Sequence, residues 1–318
     1  YLRIMFMGMV PNMVYNVGSA ILRAMGDSKR PLYFLIVACL SNVVLDLVFV
    51  LVFRMGIAGV AIASILAQAI SAVMVVMSLS AESMEYRFRF RQMRFEGDIL
   101  SRTIRIGLPA GFQSIMYSLS NMLIQASVNR FGTDTVASWV VLGKVDGINW
   151  MILGALGIAS MTFVGQNYGA GRLDRIQKSL KLSLLIGVCI SIVFGGSLLL
   201  FGWPLFGLFT SDDNVLAMSM QLLWYFAPFY WMFVPIEIIS GALRGMGDTL
   251  IPTIITATGI CVFRVAWIYT VVPLHNSMFT VSLSYPISWV LTAIAFAIYY
   301  MMARKKLIAN APKPAALD

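Results

Sequence analysis

The feature that most constrains this chain is a series of apolar runs, each long enough to cross a lipid bilayer as a helix. About 20 apolar residues span the hydrocarbon core, and the run from Leu32 to Phe53 holds a single acidic residue, Asp46. These runs lack the ten-residue alternation of barrel strands. We therefore predict an all-α, polytopic membrane helix bundle with about nine spans, at roughly 2–24, 31–53, 57–80, 107–130, 135–165, 178–208, 215–243, 250–272 and 278–302.

Composition excludes several classes of protein. The chain is 59% hydrophobic and 12% charged, whereas about a quarter of the residues in a soluble domain are charged. The cysteines Cys39, Cys189 and Cys261 all fall inside predicted spans, and no CxxC motif occurs. The single histidine, His275, lies in a short loop. We predict no disulfide framework, no cofactor and no enzyme activity, because the motifs of membrane proteases and acyltransferases are also missing.

The net charge of +9 is distributed unevenly between the two sides of the predicted bundle. Most basic residues fall in alternate loops, above all in 87–105 and 172–181, and in the C-terminal tail. The opposite loops carry only Arg3, Arg54 and Arg130. Basic loops stay cytoplasmic, so we predict a plasma (inner) membrane protein with a cytoplasmic C-terminus. The charges are interpreted as orientation signals and not as a nucleic-acid surface.

A thirteen-residue segment occurs twice, each time between two apolar spans. The first copy, SAILRAMGDSKRP, runs from Ser19 to Pro31, and the second, SGALRGMGDTLIP, from Ser240 to Pro252, with seven identical positions. Internal duplication is common in secondary transporters. The simplest local interpretation is a helix end at the glycine of the MGD triplet, followed by a new helix whose first turn contains the proline.

The repeat also predicts the domain organisation. Residues 1–80 form three helices of a first lobe, 81–105 a cytoplasmic connector, 106–304 a six-helix second lobe and 305–318 a cytoplasmic tail. Because the first span matches the fourth span of the second lobe, we expect three further helices upstream of the chain. The connector alternates arginine with aromatic residues, which fits either a helix on the anionic inner leaflet or a solvated linker.

Asp46 is the strongest candidate for a functional acid, since ionisable groups inside a bilayer are costly and usually functional. Asn42 lies four residues earlier and therefore projects from the same helix face. A carboxylate and an amide oxygen can bind a hard cation such as Na⁺, or the carboxylate can carry a proton. Ser64 and Gln68 in the third span could supply another oxygen ligand, or could hydrogen-bond between helices.

A second set of polar residues lies in the predicted second lobe. A stripe at four-residue spacing faces one side of the fourth span, Lys144 and Asp146 lie in the fifth, and Glu237 follows Pro235 in the seventh. Glu237 could take part in coupling or pair with Arg264. The aromatic residues of the seventh span suit either membrane anchoring or a cavity for organic cations. The residues assigned to a second coupling or substrate site are Glu237, Asp146, Lys144, Gln68, Gln113, Tyr117 and Asn121.

Several motifs together resemble those of the MATE (multidrug and toxic compound extrusion) transporters. They are the two repeat copies, SNVVLDLVF at Ser41–Phe49, GLP at Gly107–Pro109 and VGQNYGAGR at Val164–Arg172. The resemblance implies a twelve-helix fold of two six-helix lobes, of which this chain matches helices four to twelve. It further implies a monomeric exporter of small organic cations or drugs, driven by inward Na⁺ or H⁺, whose other partners are membrane lipids.

The resemblance also assigns one site. Asn42, Asp46 and Ser64 match residues of a cation site in the first lobe of archaeal and bacterial members, and a further aspartate of that site belongs to a helix outside this chain. The alternative within the same superfamily is a flippase for lipid-linked oligosaccharides. Such a protein should line its cavity with several basic residues, whereas only Lys144 and Arg264 lie mid-span here.

Overall fold

A computed structural model describes residues 2–81, 88, 89, 91 and 94–309, and no strand occurs among them. The chain forms twelve α-helices there, in the order α1 Leu2–Met7, α2 Met9–Ala24, α3 Lys29–Leu47, α4 Gly56–Ser80, α5 Gly97–Val128, α6 Thr133–Gly169, α7 Leu173–Gly207, α8 Asp213–Phe226, α9 Val234–Gly245, α10 Leu250–Thr256, α11 Phe263–Thr270 and α12 Met278–Ala309. Short π-helical turns follow α3 and α10, and 3₁₀ segments follow α5 and α8. The all-helical prediction is confirmed.

Eight stretches of the described helices are long and apolar enough to cross a membrane. Each coincides with one of the nine predicted spans, and three of them consist of two consecutive α-helices joined by a short turn or irregular helical segment. The remaining predicted span, 107–130, covers the C-terminal part of α5, a helix of 32 residues, and the start of the 3₁₀ segment that follows it. Its glutamine and asparagine residues make it less apolar than the others, so α5 is a full-length helix with a polar face.

The chain divides into two compact units, residues 1–96 and 97–318. In the first unit, α2 and α3 both pack against α4. Its small core consists of Leu22, Val75 and Leu79, and Gly18 allows α2 to approach Val75 closely. Part of the predicted connector, at 82–87, 90, 92 and 93, lies outside the described residues.

The two repeat copies adopt the same helix end. Gly26 has φ +90° and Gly247 has φ +89°, a conformation that glycine tolerates without steric cost. In each copy the N–H of the aspartate after this glycine donates to a leucine carbonyl. Asp27 donates to Leu22 at 2.9 Å, and Asp248 donates to Leu243 at 3.0 Å. Such a bond satisfies a carbonyl that the helix itself leaves free. The predicted helix–turn–helix is therefore confirmed in both copies.

The second unit is built around a close crossing of α6 and α9. A Cβ on Gly241 would lie 2.5 Å from the carbonyl oxygen of Gly157, and one on Gly245 would lie 2.5 Å from that of Met161. Small residues at such spacing let helix backbones approach within a membrane, where close packing drives association. The core around this crossing includes Phe206, Tyr230, Trp289 and Phe296, all fully or almost fully buried.

The predicted seventh span is interrupted in its middle. Its two helices, α8 and α9, are joined by a 3₁₀ segment, Ala227–Phe233. Pro228 lies in the first turn of that segment, and Pro235 in the first turn of α9. Since proline lacks an N–H and clashes with the preceding turn of an α-helix, two prolines seven residues apart favour this break. Three residues of this segment, Ala227, Tyr230 and Phe233, are buried inside the second unit.

Candidate cation and substrate sites

The predicted cation ligands Asn42 and Asp46 lie four residues apart on α3 and are both partly buried. Asn42 Nδ2 and Asp46 Oδ1 are each shielded from solvent, and neither has a hydrogen-bond partner among the described residues. A π-helical turn, Val48–Val52, begins two residues after Asp46. Such turns are frequent at functional sites.

Other polar pairs at this spacing behave differently. Asn16 Nδ2 donates to Asn12 Oδ1 at 2.7 Å, and Gln125 Nε2 donates to Asn129 Oδ1 at 2.9 Å. Asn42 and Asp46 do not satisfy each other in this way. Leaving a shielded carboxylate oxygen without a partner costs free energy. A cation that prefers oxygen ligands, or a proton, would supply the missing partner. Asp46 and the Asn42 amide oxygen would be the ligands of a Na⁺ ion.

The two residues predicted from the third span point to different neighbours. The Ser64 hydroxyl donates to the Val60 carbonyl at 3.0 Å, which leaves its lone pairs free to accept. Ser64 lies on α4, the helix that packs against α3. Gln68 Oε1 instead lies against Gly8, 2.9 Å from where a Cβ would be. The side chain of Gln68 therefore contacts the junction of α1 and α2.

The second unit contains a cavity of about 440 Å³. This volume is within the range of about 300–1,000 Å³ typical of small-molecule sites. Its walls combine aromatic rings with a few amide groups, two carboxylates and one guanidinium. The lining residues are Tyr117, Asn121 and Gln125 of α5, Trp139, Leu142, Gly143, Asp146 and Trp150 of α6, Phe226 of α8, Phe233 of the 3₁₀ segment, Glu237 of α9, Arg264 of α11, and Tyr285 and Trp289 of α12.

The two carboxylates of the cavity have different surroundings. Asp146 is 9% exposed and accepts a hydrogen bond from the hydroxyl of Tyr230. The carboxylate of Glu237 accepts no hydrogen bond from residues 97–304, and its Oε2 lies 2.8 Å from the position of a Cβ on Gly157. The glycine therefore makes room for this carboxylate at the α6–α9 crossing. Glu237 is the more available of the two acids for a bound cation.

The structure brings together part of the predicted second site. Tyr117, Asn121, Asp146 and Glu237 all line the cavity. Gln113 is not among the lining residues, and its Oε1 accepts a hydrogen bond from Arg244 Nη2 at 2.8 Å. Lys144 is exposed and is absent from the cavity wall.

The alternative ion pair between Glu237 and Arg264 is not formed within residues 97–304, although both residues line the cavity. Arg264 Nε instead donates to Ser288 Oγ at 2.9 Å.

Sequence reasoning missed most of the aromatic walls. Trp150 packs edge-on against Phe233 with ring centroids 4.9 Å apart, and against Trp289 at 5.7 Å. Phe226 packs against Tyr285 at 5.1 Å. The spacing of Tyr285 and Trp289, four residues apart on α12, was a usable signal, because it places both rings on one helix face.

Comparisons with known proteins agree on one family. The model of the MatE family matches residues 1–48 and 109–270. "Probable multidrug resistance protein YoeA" of Bacillus subtilis is 27% identical over 96% of this chain and 68% of its own length. "Probable multidrug resistance protein YpnP" of the same species is 29% identical, with the same coverage. The "FAD transporter" of Shewanella oneidensis is 26% identical over 68% of this chain and 49% of its own length.

Solved structures show the same fold. A crystal structure of MATE in complex with MaL6 superposes with a TM-score of 0.90 at 19% identity, and covers 98% of this chain and 70% of that chain. A MOP superfamily transporter from Pyrococcus furiosus, whose description reports reverse polarity of the binding pocket, gives a TM-score of 0.85 at 20% identity, over 92% and 66% of the two chains.

Proposed function

We propose that this chain, a multi-pass membrane protein that belongs to the MatE family, exports small organic cations in exchange for Na⁺ or H⁺. The observation that carries the proposal is the cavity of the second unit, where aromatic rings surround Asp146 and Glu237. Rings attract cations through their negative faces, and a carboxylate adds a full charge. Two relatives are named probable multidrug resistance proteins, which supports the export of drugs.

The balance of charge in the cavity favours this function over a lipid-linked oligosaccharide flippase. A pyrophosphate lipid carries several negative charges and would need several basic residues around it. The cavity has two acids and a single arginine, Arg264.

Asp46 is the proposed coupling residue. Asp46 has a shielded oxygen without a partner beside Asn42, on the helix that packs against α4, which carries Ser64. This arrangement supports the binding of a coupling cation or proton. Binding of the coupling ion would favour one helix arrangement and lower the affinity for the substrate in that arrangement. Such coupling is reciprocal, so the substrate would lower the affinity for the ion. The transport cycle would be alternating access.

We infer the orientation of the chain in the membrane from the placement of its basic residues. The basic loops and tail support a cytoplasmic C-terminus, and a chain with these spans suits the plasma (inner) membrane.

The test is efflux of a fluorescent cation such as ethidium from cells that express this protein, driven by a Na⁺ gradient or by a pH gradient alone. Asp46→Asn should abolish gradient-driven efflux at unchanged protein level and melting temperature. The matched control is Asp27→Asn, because an amide oxygen there would still accept the N–H groups of Lys29 and Arg30. Full efflux by the Asp46→Asn protein would refute the coupling role.

A further inference from the structure

The helix α7 is longer than a membrane is thick. Its 35 residues extend for about 52 Å at 1.5 Å per residue, whereas the hydrocarbon core of a bilayer measures about 30 Å. No charged residue occurs in the sequence between Lys181 and Asp212. Trp203 is exposed and lies about 33 Å along the helix from Lys181. Because exposed tryptophans are typical of the membrane–water boundary, Lys181 lies at the opposite boundary, at the level of the lipid headgroups.

Three basic residues follow one another on the exposed side of the first turns of α7. Arg175, Lys178 and Lys181 are all exposed, and their spacing of three residues places them along one side of the helix. The opposite side carries Ile176 and Leu180, which are buried in the core of the second unit. The basic side therefore faces away from the core of this unit.

The three basic side chains form no ion pair in the part of the second unit that the structure describes. Their neighbour in sequence, Asp174, instead pairs with Arg172, whose Nε lies 3.5 Å from Asp174 Oδ1. The start of α7 therefore carries an uncompensated positive charge at the headgroup level. Basic residues at this depth attract the negative headgroups of anionic lipids.

The basic side of α7 continues directly into an apolar one. Leu182, Leu185 and Ile192 are exposed and lie on the same side of the helix as the two lysines. At membrane depth such side chains contact acyl chains, which are as apolar as leucine. A free phosphate would gain nothing from these residues. A phospholipid would contact the lysines through its headgroup and the leucines through its chains.

We propose that the start of α7 binds an anionic glycerophospholipid, with the phosphodiester on Lys178 and Lys181 and the acyl chains along Leu182 and Leu185. Arg175 lies one turn further from the hydrocarbon and contacts the outer part of the headgroup. A lysine ammonium binds a phosphate as a point charge, so net negative charge is the property that the site selects. A zwitterionic lipid carries its own ammonium group, which the lysines repel. This site is separate from the cavity and does not depend on what the cavity transports.

The test counts the lipids that stay bound to the purified protein. Native mass spectrometry is performed from detergent that contains equal amounts of dioleoyl phosphatidylglycerol and dioleoyl phosphatidylcholine, which have the same chains and differ in headgroup charge. Each lysine should favour the anionic lipid about fivefold, which corresponds to about 1 kcal/mol. We therefore expect the wild-type protein to retain phosphatidylglycerol at least about 25-fold more often. Equal retention of the two lipids would overturn the inference.

A double variant, Lys178→Gln with Lys181→Gln, tests the position of the site. Its preference for phosphatidylglycerol should fall to about fivefold or less, the contribution of Arg175 alone. The matched control is Arg102→Gln with Arg105→Gln, which removes two exposed charges from the start of α5 and should keep the full preference. An equal loss in the two double variants would show attraction by total charge and would overturn the site.

A soluble competitor separates the lipid from a free anion. Glycerophosphoglycerol has the headgroup of phosphatidylglycerol without its chains, so it should leave the bound lipid in place at the same concentration. Displacement of the lipid by this competitor would show that the lysines take a soluble phosphodiester, and the lipid assignment would be wrong.

Discussion

Tyr230 donates a hydrogen bond to Asp146 inside the second unit, and this bond joins the 3₁₀ segment of the interrupted span to α6. Tyr230 is fully buried and Asp146 nearly so. The bond therefore holds the break between α8 and α9 against α6, the helix that contributes more lining residues to the cavity than any other. It also occupies one oxygen of Asp146, which leaves Glu237 as the freer acid.

Tyr230→Phe should destabilise the protein by about 1.5–3 kcal/mol, the usual range for a hydrogen bond to a charged group. The acid would remain buried, and its donor would be lost. The measurement is the apparent melting temperature of the purified protein in detergent. Tyr225→Phe is the matched control, because the Tyr225 hydroxyl accepts only an exposed bond from Gln221 at 2.9 Å. Equal effects of the two substitutions would contradict the proposed role of the buried bond.

The α6–α9 crossing predicts a strong steric effect from one methyl group. Gly241→Ala would place a Cβ 2.5 Å from the Gly157 carbonyl, and a backbone atom cannot move aside as a flexible side chain can. Overpacking of this kind costs about 1–3 kcal/mol. Gly196→Ala on α7 is the control, since its Cβ would meet nothing within 4 Å. The control should be neutral or stabilising because alanine favours a helix, and a neutral Gly241→Ala protein would argue against the close crossing.

Sequence patterns predicted the helices and the repeat turns well, because these depend on local properties. Runs of apolar residues, the glycines at positive φ and the prolines of first turns are all readable without tertiary contacts. The polar stripe of α5 was also a correct sign of an inward face, since Tyr117 and Asn121 line the cavity.

The aromatic walls could not be predicted in the same way. In a membrane protein both lipid-facing and protein-facing surfaces are apolar, so the sequence does not show which tryptophans point inward. Trp289 is 1% exposed while Trp224 is 59% exposed, yet their neighbours in sequence are similarly hydrophobic. Gln113 shares the four-residue spacing of the α5 stripe but meets Arg244 of another helix. Only the packing of α5 against distant elements decides such cases.

The contact between Gln113 and Arg244 predicts a charge-dependent effect on stability. Arg244 Nε is buried without a partner, so the bond from Nη2 to Gln113 is a principal anchor of this side chain. Gln113→Leu should lower the apparent melting temperature, with a cost of about 1.5–3 kcal/mol. Gln113→Glu should preserve or raise it, because a carboxylate also accepts from the guanidinium and adds a favourable charge. A glutamate protein as unstable as the leucine protein would exclude this interaction.

Glu237 should determine the affinity for a simple cation. Glu237→Gln removes one of two negative charges from the cavity, and we expect binding of rhodamine 123 to weaken at least about tenfold, the lower end of the effect of losing a charged contact. Gly157→Ala should have a similar effect without any change of charge, since its Cβ would lie 2.8 Å from Glu237 Oε2 and displace the carboxylate. Lys144→Gln is the control, because Lys144 is exposed and outside the cavity wall. The affinity of all three proteins for rhodamine 123 is measured by fluorescence polarisation. If Glu237→Gln left that affinity unchanged, Asp146 and the rings would bind the cation without this acid.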